Sequence, residues 1–222
     1  SFLQSEIGKL LNTDIVEVRL DKFLVYSSNK LDGYGYQTAA DAVSCFKHFS
    51  KGKKYNHCLE WCSGPGYLGF GTLSQGLTKN LTLLDIHEPN KIVVEKTIDK
   101  NNLNDNVNFI LSNNFKNHNT DVKYDLIIGN PPHFTFSPTY GNIDPNEHRK
   151  YQDKDWNIHK DFFDTVNDFI TDDADIILME NTKGSNTDTF KEMISYNDLK
   201  IENYCLSVTY PNDIWYVHIT KA

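Results

Sequence analysis

The sequence has little with which to enter a membrane. Across its 222 residues no apolar run extends beyond a few positions, whereas a helix crossing the hydrocarbon core needs about 20. Positive charge is also scarce. Lysine and arginine total 22 against 30 aspartates and glutamates, the formal net charge is −8, and Arg19 and Arg149 are the only arginines. With no basic run, the electrostatic footprint usual in a nucleic-acid binder is missing. The four cysteines, Cys45, Cys58, Cys62 and Cys205, form no CxxC pair. Neither a metal site nor a disulfide framework is expected, and the thiols read as reduced. Ser1 to Leu11 shows no basic start followed by an apolar stretch, so no secretory signal is expected and a cytoplasmic setting is. Repeats and low-complexity segments are also lacking.

What remains is a globular composition, 39% hydrophobic and 23% charged, in a length suited to one domain. The first 54 residues read as an amino-terminal segment. A short helix is expected over Phe2–Leu11, a hairpin over Ile15–Leu20 and Phe23–Tyr26, and a helix over Gln37–Phe49 with Ala39, Ala40, Val43 and Phe46 on one face. From residue 55 to 222 the rhythm changes. Apolar runs recur at His57–Trp61, Leu81–Leu84, Val107–Leu111, Leu126–Ile128 and Ile176–Met179, with helix-forming segments such as Pro89–Lys100 and His159–Ile170 between them. Such alternation predicts an α/β fold with a mainly parallel sheet and helices on both faces. Ile201–Val208 and Ile214–Ile219 follow with only Tyr210-Pro211-Asn212-Asp213 between them, which predicts a carboxy-terminal hairpin placing an antiparallel strand at the sheet edge.

The first core strand runs into Glu60-Trp61-Cys62-Ser63-Gly64-Pro65-Gly66-Tyr67-Leu68-Gly69. Gly64, Gly66 and Gly69 satisfy GxGxxG, a spacing that lets backbone turn tightly beside a ligand and that also occurs in plain turns. Glu60 precedes the loop, where a carboxylate can meet a cationic amine. Nineteen residues after Gly66, Asp85 closes the run Leu81-Thr82-Leu83-Leu84. There it can accept hydrogen bonds from ribose hydroxyls, or cap the helix expected near Pro89. A nucleoside-bearing ligand follows, either a dinucleotide or S-adenosylmethionine.

The segment Tyr124-Asp125-Leu126-Ile127-Ile128-Gly129-Asn130-Pro131-Pro132-His133 separates the two. Adjacent prolines remove two backbone donors and hold the preceding asparagine extended, so its amide is presented with little freedom. In this order and spacing, Glu60…Gly64-Pro65-Gly66, Leu84-Asp85-Ile86 and Asn130-Pro131-Pro132-His133 resemble the class I S-adenosylmethionine-dependent methyltransferases. The likeness is to their Asn-Pro-Pro-aromatic branch, which includes the glutamine methyltransferases of peptide-release factors and the exocyclic-amine methyltransferases of RNA and DNA. It runs from about Tyr55 to the carboxy terminus.

The resemblance implies a Rossmann-like class I sheet and N-methylation of a planar amide or exocyclic amine in a protein or nucleic acid. It places the loop at Cys62, Gly64 and Gly66 under the methionine part of the cofactor, with Glu60 near its amino group. Asp85 would hold the ribose, Ile86 would pack on the adenine, and Asn113 stands where relatives often place an aspartate. Asn130 would accept from the target NH2 with help from the Pro131 carbonyl. Pro132 would stiffen the segment, and His133 or Phe134 would stack on the target, with Phe136 nearby. Histidine in the aromatic position departs from the branch pattern and leaves the substrate open. Tyr36-Gln37-Thr38 and the stretch Phe134–Trp156 are expected to shape the pocket. Two other classes stay in view: a methyltransferase fold serving as a non-catalytic binding subunit, and a dinucleotide-dependent oxidoreductase.

Overall fold

Two amino-terminal strands, β1 (Ile15–Leu20) and β2 (Phe23–Ser28), pair antiparallel as the expected hairpin. In this computed structural model, residues 15–28, 31, 35–136 and 145–222 are described. The helix expected at Phe2–Leu11 and part of the Phe134–Trp156 stretch lie outside them. The helix α1 (Gly35–Ser50) buries Ala39, Ala42, Val43, Phe46 and Phe49. Ala40 points to solvent instead of the core, because a helix repeat of 3.6 carries it off the face that Ala39 and Val43 share.

The core strands are β3 (Tyr55–Trp61), β4 (Thr78–Asp85), β5 (Val107–Leu111), β6 (Tyr124–Gly129), β7 (Ile170–Asn181), β8 (Leu199–Leu206) and β9 (Ile214–Lys221). They form one seven-stranded sheet in the order β5-β4-β3-β6-β7-β9-β8. The pairs β3–β4, β3–β6, β4–β5 and β6–β7 are parallel, while β9 runs antiparallel to both β7 and β8. The antiparallel strand is therefore second from the edge, and β8 is the edge. The expected carboxy-terminal hairpin thus closes the sheet, with its last strand β9 as the inner one, paired with both β7 and β8.

Period-two side-chain alternation divides the strands between two cores. On one face Cys58 of β3 and Leu126 and Ile128 of β6 meet α1, α2 (Tyr67–Ser74) and α3 (Glu88–Lys100) through Phe46, Phe70, Val94 and Ile98. On the other, Leu59, Trp61 and Ile127 meet α4 (Asn157–Thr165) and α5 (Thr187–Tyr196) through Phe162, Phe163, Phe190 and Ile194. The helix expected over His159–Ile170 stops at Thr165 and passes into a 3-10 turn over Val166–Phe169. The β1–β2 hairpin joins the first face. Tyr26 N–H donates to Thr97 Oγ1 at 2.9 Å, and Asn101 of the segment after α3 both accepts from and donates to the Leu24 backbone.

The chain leaves β3 for β4 and β5 on one side, then crosses back to β6 and β7 on the other. In open α/β sheets ligands gather at this reversal, beyond the carboxyl ends of the strands. Glu60, Asp85, Asn130 and Glu180 all lie at or just past such ends, on β3, β4, β6 and β7.

Candidate active site

A cleft of about 360 Å³ opens over those strand ends, within the range of small-molecule sites. Glu60, Cys62, Gly64, Asp85, Ile86 and Asn113 line one part of it. Asn130, Pro131, Pro132 and His133 line another. Gly66 does not line it; it caps α2 with φ of 90°. A Cβ there would stand 2.8 Å from Leu83 and 2.9 Å from Phe70, so both the left-handed backbone and the packing require glycine.

Asp85 fixes the loop. Its Oδ2 accepts from Gly64 N–H at 2.8 Å and its Oδ1 from His87 N–H at 2.8 Å. The helix α3 has His87, not Asp85, at its N-cap position. Each carboxylate oxygen keeps a further lone pair for a ligand hydroxyl. Burial pushes the Asp85 carboxyl above its usual range, against the lowering from the Gly64 and His87 amides, Asn90 and Arg149. Glu60 is fully enclosed; burial raises its pKa well above the carboxylate range although Gly69 N–H donates to its Oε2 at 2.7 Å. Ile86 offers an exposed apolar side chain at 63% accessibility on the same wall.

Asn130 carries the feature that bears most directly on function. Its Oδ1 is buried and, among the described residues, accepts no hydrogen bond. The same holds for Asn90 Oδ1, also in the cleft wall. Orphaned buried acceptors cost about 1–3 kcal/mol each and suit a ligand that brings donors.

His133, rather than Phe134, lines the cleft. Phe134 is buried at 4% accessibility, edge-on to His133 at 6.3 Å. Its backbone N–H donates to Tyr151 O, and its carbonyl accepts from Asp153 N–H. Phe136 is largely exposed and outside the cleft wall. Of the amino-terminal segment, Leu31 and Gly35 reach the cleft, and Tyr36 leans on Tyr67 at 6.0 Å.

Several site residues are not evident from the sequence pattern. Arg149 and Lys150, at the end of a 3-10 turn over Pro145–Lys150, bring a basic rim to the cleft, with Tyr151 beside them, and Arg149 approaches His87 Nε2 at 3.0 Å. Behind the Asn-Pro-Pro-His segment, Asp153, His159 and Glu180 are each 0% exposed. His159 Nδ1 stands 2.6 Å from Asp153 Oδ2, and Nε2 stands 3.0 and 3.1 Å from the Glu180 oxygens. Burial pushes His159 down, but the Glu180 charge and hydrogen bonds to Asp153 and Glu180 outweigh it and raise its pKa to about 9. Burial likewise pushes Glu180 up, and the His159 charge brings the balance below the usual value. Asp155 and Trp156 turn the chain around this group with φ of 54° and 57°, a backbone state costing about 1–2 kcal/mol per non-glycine residue. The strain is held in place because Asp153 also accepts from Ile158 and His159 N–H at the start of α4, where a carboxylate is favoured. Glu180 had a sequence signal, since it ends the run Ile176–Met179 as Asp85 ends its own. Arg149 stood out only as one of two arginines.

The fold is that of a class I methyltransferase. At 15% identity it superposes on Methanocaldococcus jannaschii Trm5 in complex with adenosine with TM-score 0.62, over 95% of this chain and 57% of that one. It superposes on a ribosomal protein L11 methylase from Lactobacillus delbrueckii subsp. bulgaricus with TM-score 0.57 at 13% identity, over 83% and 78%. Residues 24–142 match the methyltransferase small domain family, and the chain belongs to it. Membership implies S-adenosylmethionine as methyl donor and displaces the oxidoreductase reading. Among sequence relatives, a release factor glutamine methyltransferase of Fusobacterium nucleatum subsp. nucleatum is 35% identical over 94 residues, 39% of this chain and 26% of that protein. A ribosomal protein uL3 glutamine methyltransferase of Francisella tularensis subsp. tularensis is 36% identical over 75 residues, 34% of this chain and 24% of that protein. The matches thus span about a quarter of those relatives' length. No helix among the described residues is long and apolar enough to cross a membrane.

Proposed function

We propose that this chain is an S-adenosylmethionine-dependent N-methyltransferase whose target is a primary amide, with a protein glutamine side chain as the favoured substrate. The observation that carries the reading is the unpartnered, buried Oδ1 of Asn130 in the cleft wall. A planar NH2 supplies the donor that this oxygen lacks. Its second N–H is directed to the carbonyl of Pro131, an acceptor that the two prolines hold in place. With both hydrogens committed, the nitrogen lone pair has one direction left.

The cofactor supplies an activated methyl group, so the chain's task is placement. Asp85 accepts from the ribose hydroxyls, Ile86 packs against the adenine, and the Gly64–Gly66 turn lies beside the methionine portion. Asn90 Oδ1 and Asn113 complete the polar wall. Glu60 acts through the loop: its carboxyl holds Gly69 N–H and so fixes the start of α2. The net charge of −8 and the names of the two sequence relatives support a protein target over a nucleic acid.

Calorimetric titration with S-adenosylmethionine, S-adenosylhomocysteine and NADH tests the cofactor. The first two bind, NADH does not, and Asp85→Ala weakens binding by about 10-fold or more, the worth of one hydrogen bond to a charged group. A labelled-methyl assay on glutamine peptides and on RNA tests the target. Transfer to peptide falls by about 10²-fold or more in Asn130→Ala, as when a preorganised polar group is removed from other active sites, while cofactor affinity is kept. NADH binding alone would end the methyltransferase reading, and transfer to RNA alone would end the glutamine assignment.

A further inference from the structure

Placement of the amide leaves Asp153, His159 and Glu180 without a part, although all three lie directly behind His133. His133 Nδ1 is buried and makes no hydrogen bond among the described residues. It stands 3.7 Å from Glu180 Oε1, beyond hydrogen-bond length but within reach of a small ring rotation. The His133 side chain keeps 19% exposure, so the open edge of the ring is the one that carries Nε2.

The opposite side of Glu180 is already committed. Both its oxygens face His159 Nε2, and His159 Nδ1 faces Asp153. Ionised carboxylates only accept hydrogen bonds, so both His159 nitrogens carry hydrogen and the ring is an imidazolium. That cation, clamped by Asp153 and boxed by Trp61, Trp156 and Phe190, keeps Glu180 ionised although its side chain is fully buried. A fixed, ionised acceptor beside Nδ1 selects which nitrogen of a neutral His133 carries the hydrogen. Phenylalanine at this position would offer Glu180 no donor.

We infer that Glu180, held by His159 and Asp153, is a positioning residue that turns His133 Nδ1–H toward itself and leaves His133 Nε2 as the proton acceptor for the target amide nitrogen. The inference rests on the methyltransferase reading for the identity of the proton donor. Once the nitrogen has gained its methyl group it carries one proton too many. As the nitrogen becomes tetrahedral, one of its two N–H groups leaves its carbonyl acceptor and turns to His133; that N–H bond breaks, its electron pair stays on nitrogen, and the proton bonds to Nε2. The resulting imidazolium lies against Glu180 and returns the proton to water after the product leaves.

Long-range proton–nitrogen correlation spectra of the nitrogen-labelled chain test this, recorded with and without S-adenosylhomocysteine and assigned with His133→Phe. His133 shows the Nδ1–H tautomer in the wild-type chain. In Glu180→Gln, whose amide presents both a donor and an acceptor, the signal shifts toward the Nε2–H form that an unconstrained imidazole prefers. An Nε2–H pattern in the wild type would overturn the inference. So would an unchanged Nδ1–H pattern in a Glu180→Gln chain that still binds S-adenosylhomocysteine. If that variant does not fold, the wild-type pattern decides alone. Failure of the wild-type chain to bind S-adenosylhomocysteine would sink the methyltransferase reading, with the tautomer still legible.

Discussion

At the scale of single residues, the cleft depends on a few backbones that tolerate no addition. Gly184 is one of them: a Cβ there would stand 2.1 Å from the carbonyl oxygen of His133 and 3.0 Å from the Phe134 ring. Gly184→Ala must therefore push the Asn-Pro-Pro-His segment aside. We expect a loss of about 1–3 kcal/mol in urea unfolding, the usual cost of overpacking, together with a displaced His133; an unchanged midpoint would show that the loop has room. Residues of this kind are hidden in the sequence, because the close approach joins segments about 50 positions apart. Glu60, Asp85 and Asn130 were legible for a physical reason. Each is polar at the end of an apolar run, where a buried strand meets the ligand side of the sheet. Asp153 lies in a turn with no period and His159 in the first turn of α4, and only the fold shows that both meet Glu180. The aromatic position could not be settled by pattern either, since burial, not residue type, separates His133 from Phe134.

Among elements, one carboxylate of α1 gathers several donors from the β8–β9 region. Asp41 accepts from Tyr216 Oη at 2.6 Å on β9, from Ser207 Oγ at 2.7 Å and from Thr209 N–H at 3.2 Å after β8. Asp41→Ala leaves these donors without that acceptor, and about 1–2 kcal/mol is expected to be lost. The loss should be local: hydrogen exchange in the β8–β9 turn quickens, while amides of β3 and β4 hold their protection. Uniform quickening would count against a local tie. The strands themselves were largely legible because apolar runs bounded by polar segments stand out from their surroundings, β5 to the residue although it is a partly exposed edge strand. The order in which they pair was not. The placement of β9 between β7 and β8 arises from long-range register that no local pattern encodes. The helix α5 was also missed: its buried face is only Phe190 and Ile194, too few apolar positions to show a clear period.

For the whole molecule, buried charge sets how stability follows pH. The His159 imidazole titrates near 9 in the fold, against about 6.5 unfolded. Its contribution is fully present below about pH 6.5 and is lost as pH rises through 9; the full shift corresponds to on the order of 3 kcal/mol. Glu60, raised by burial, tilts stability the same way, since a buried neutral carboxyl favours the fold until it must ionise. Urea midpoints should therefore fall from about pH 6 to about pH 9, and the fall should flatten in His159→Gln; equal midpoints in the wild type would refute the assignment. The position of β9 has a further consequence, for the order of events in synthesis. β8 leaves the ribosome before β9, yet among the described residues its only neighbour in the sheet is β9. Until residues 214–221 emerge, β8 is an unpaired strand with Tyr204 and Leu206 exposed, and β7 shows a bare edge of the kind that invites misassembly. A chain truncated shortly before Ile214 would thus form the β5-β4-β3-β6-β7 half of the sheet while β8 remains protease-sensitive.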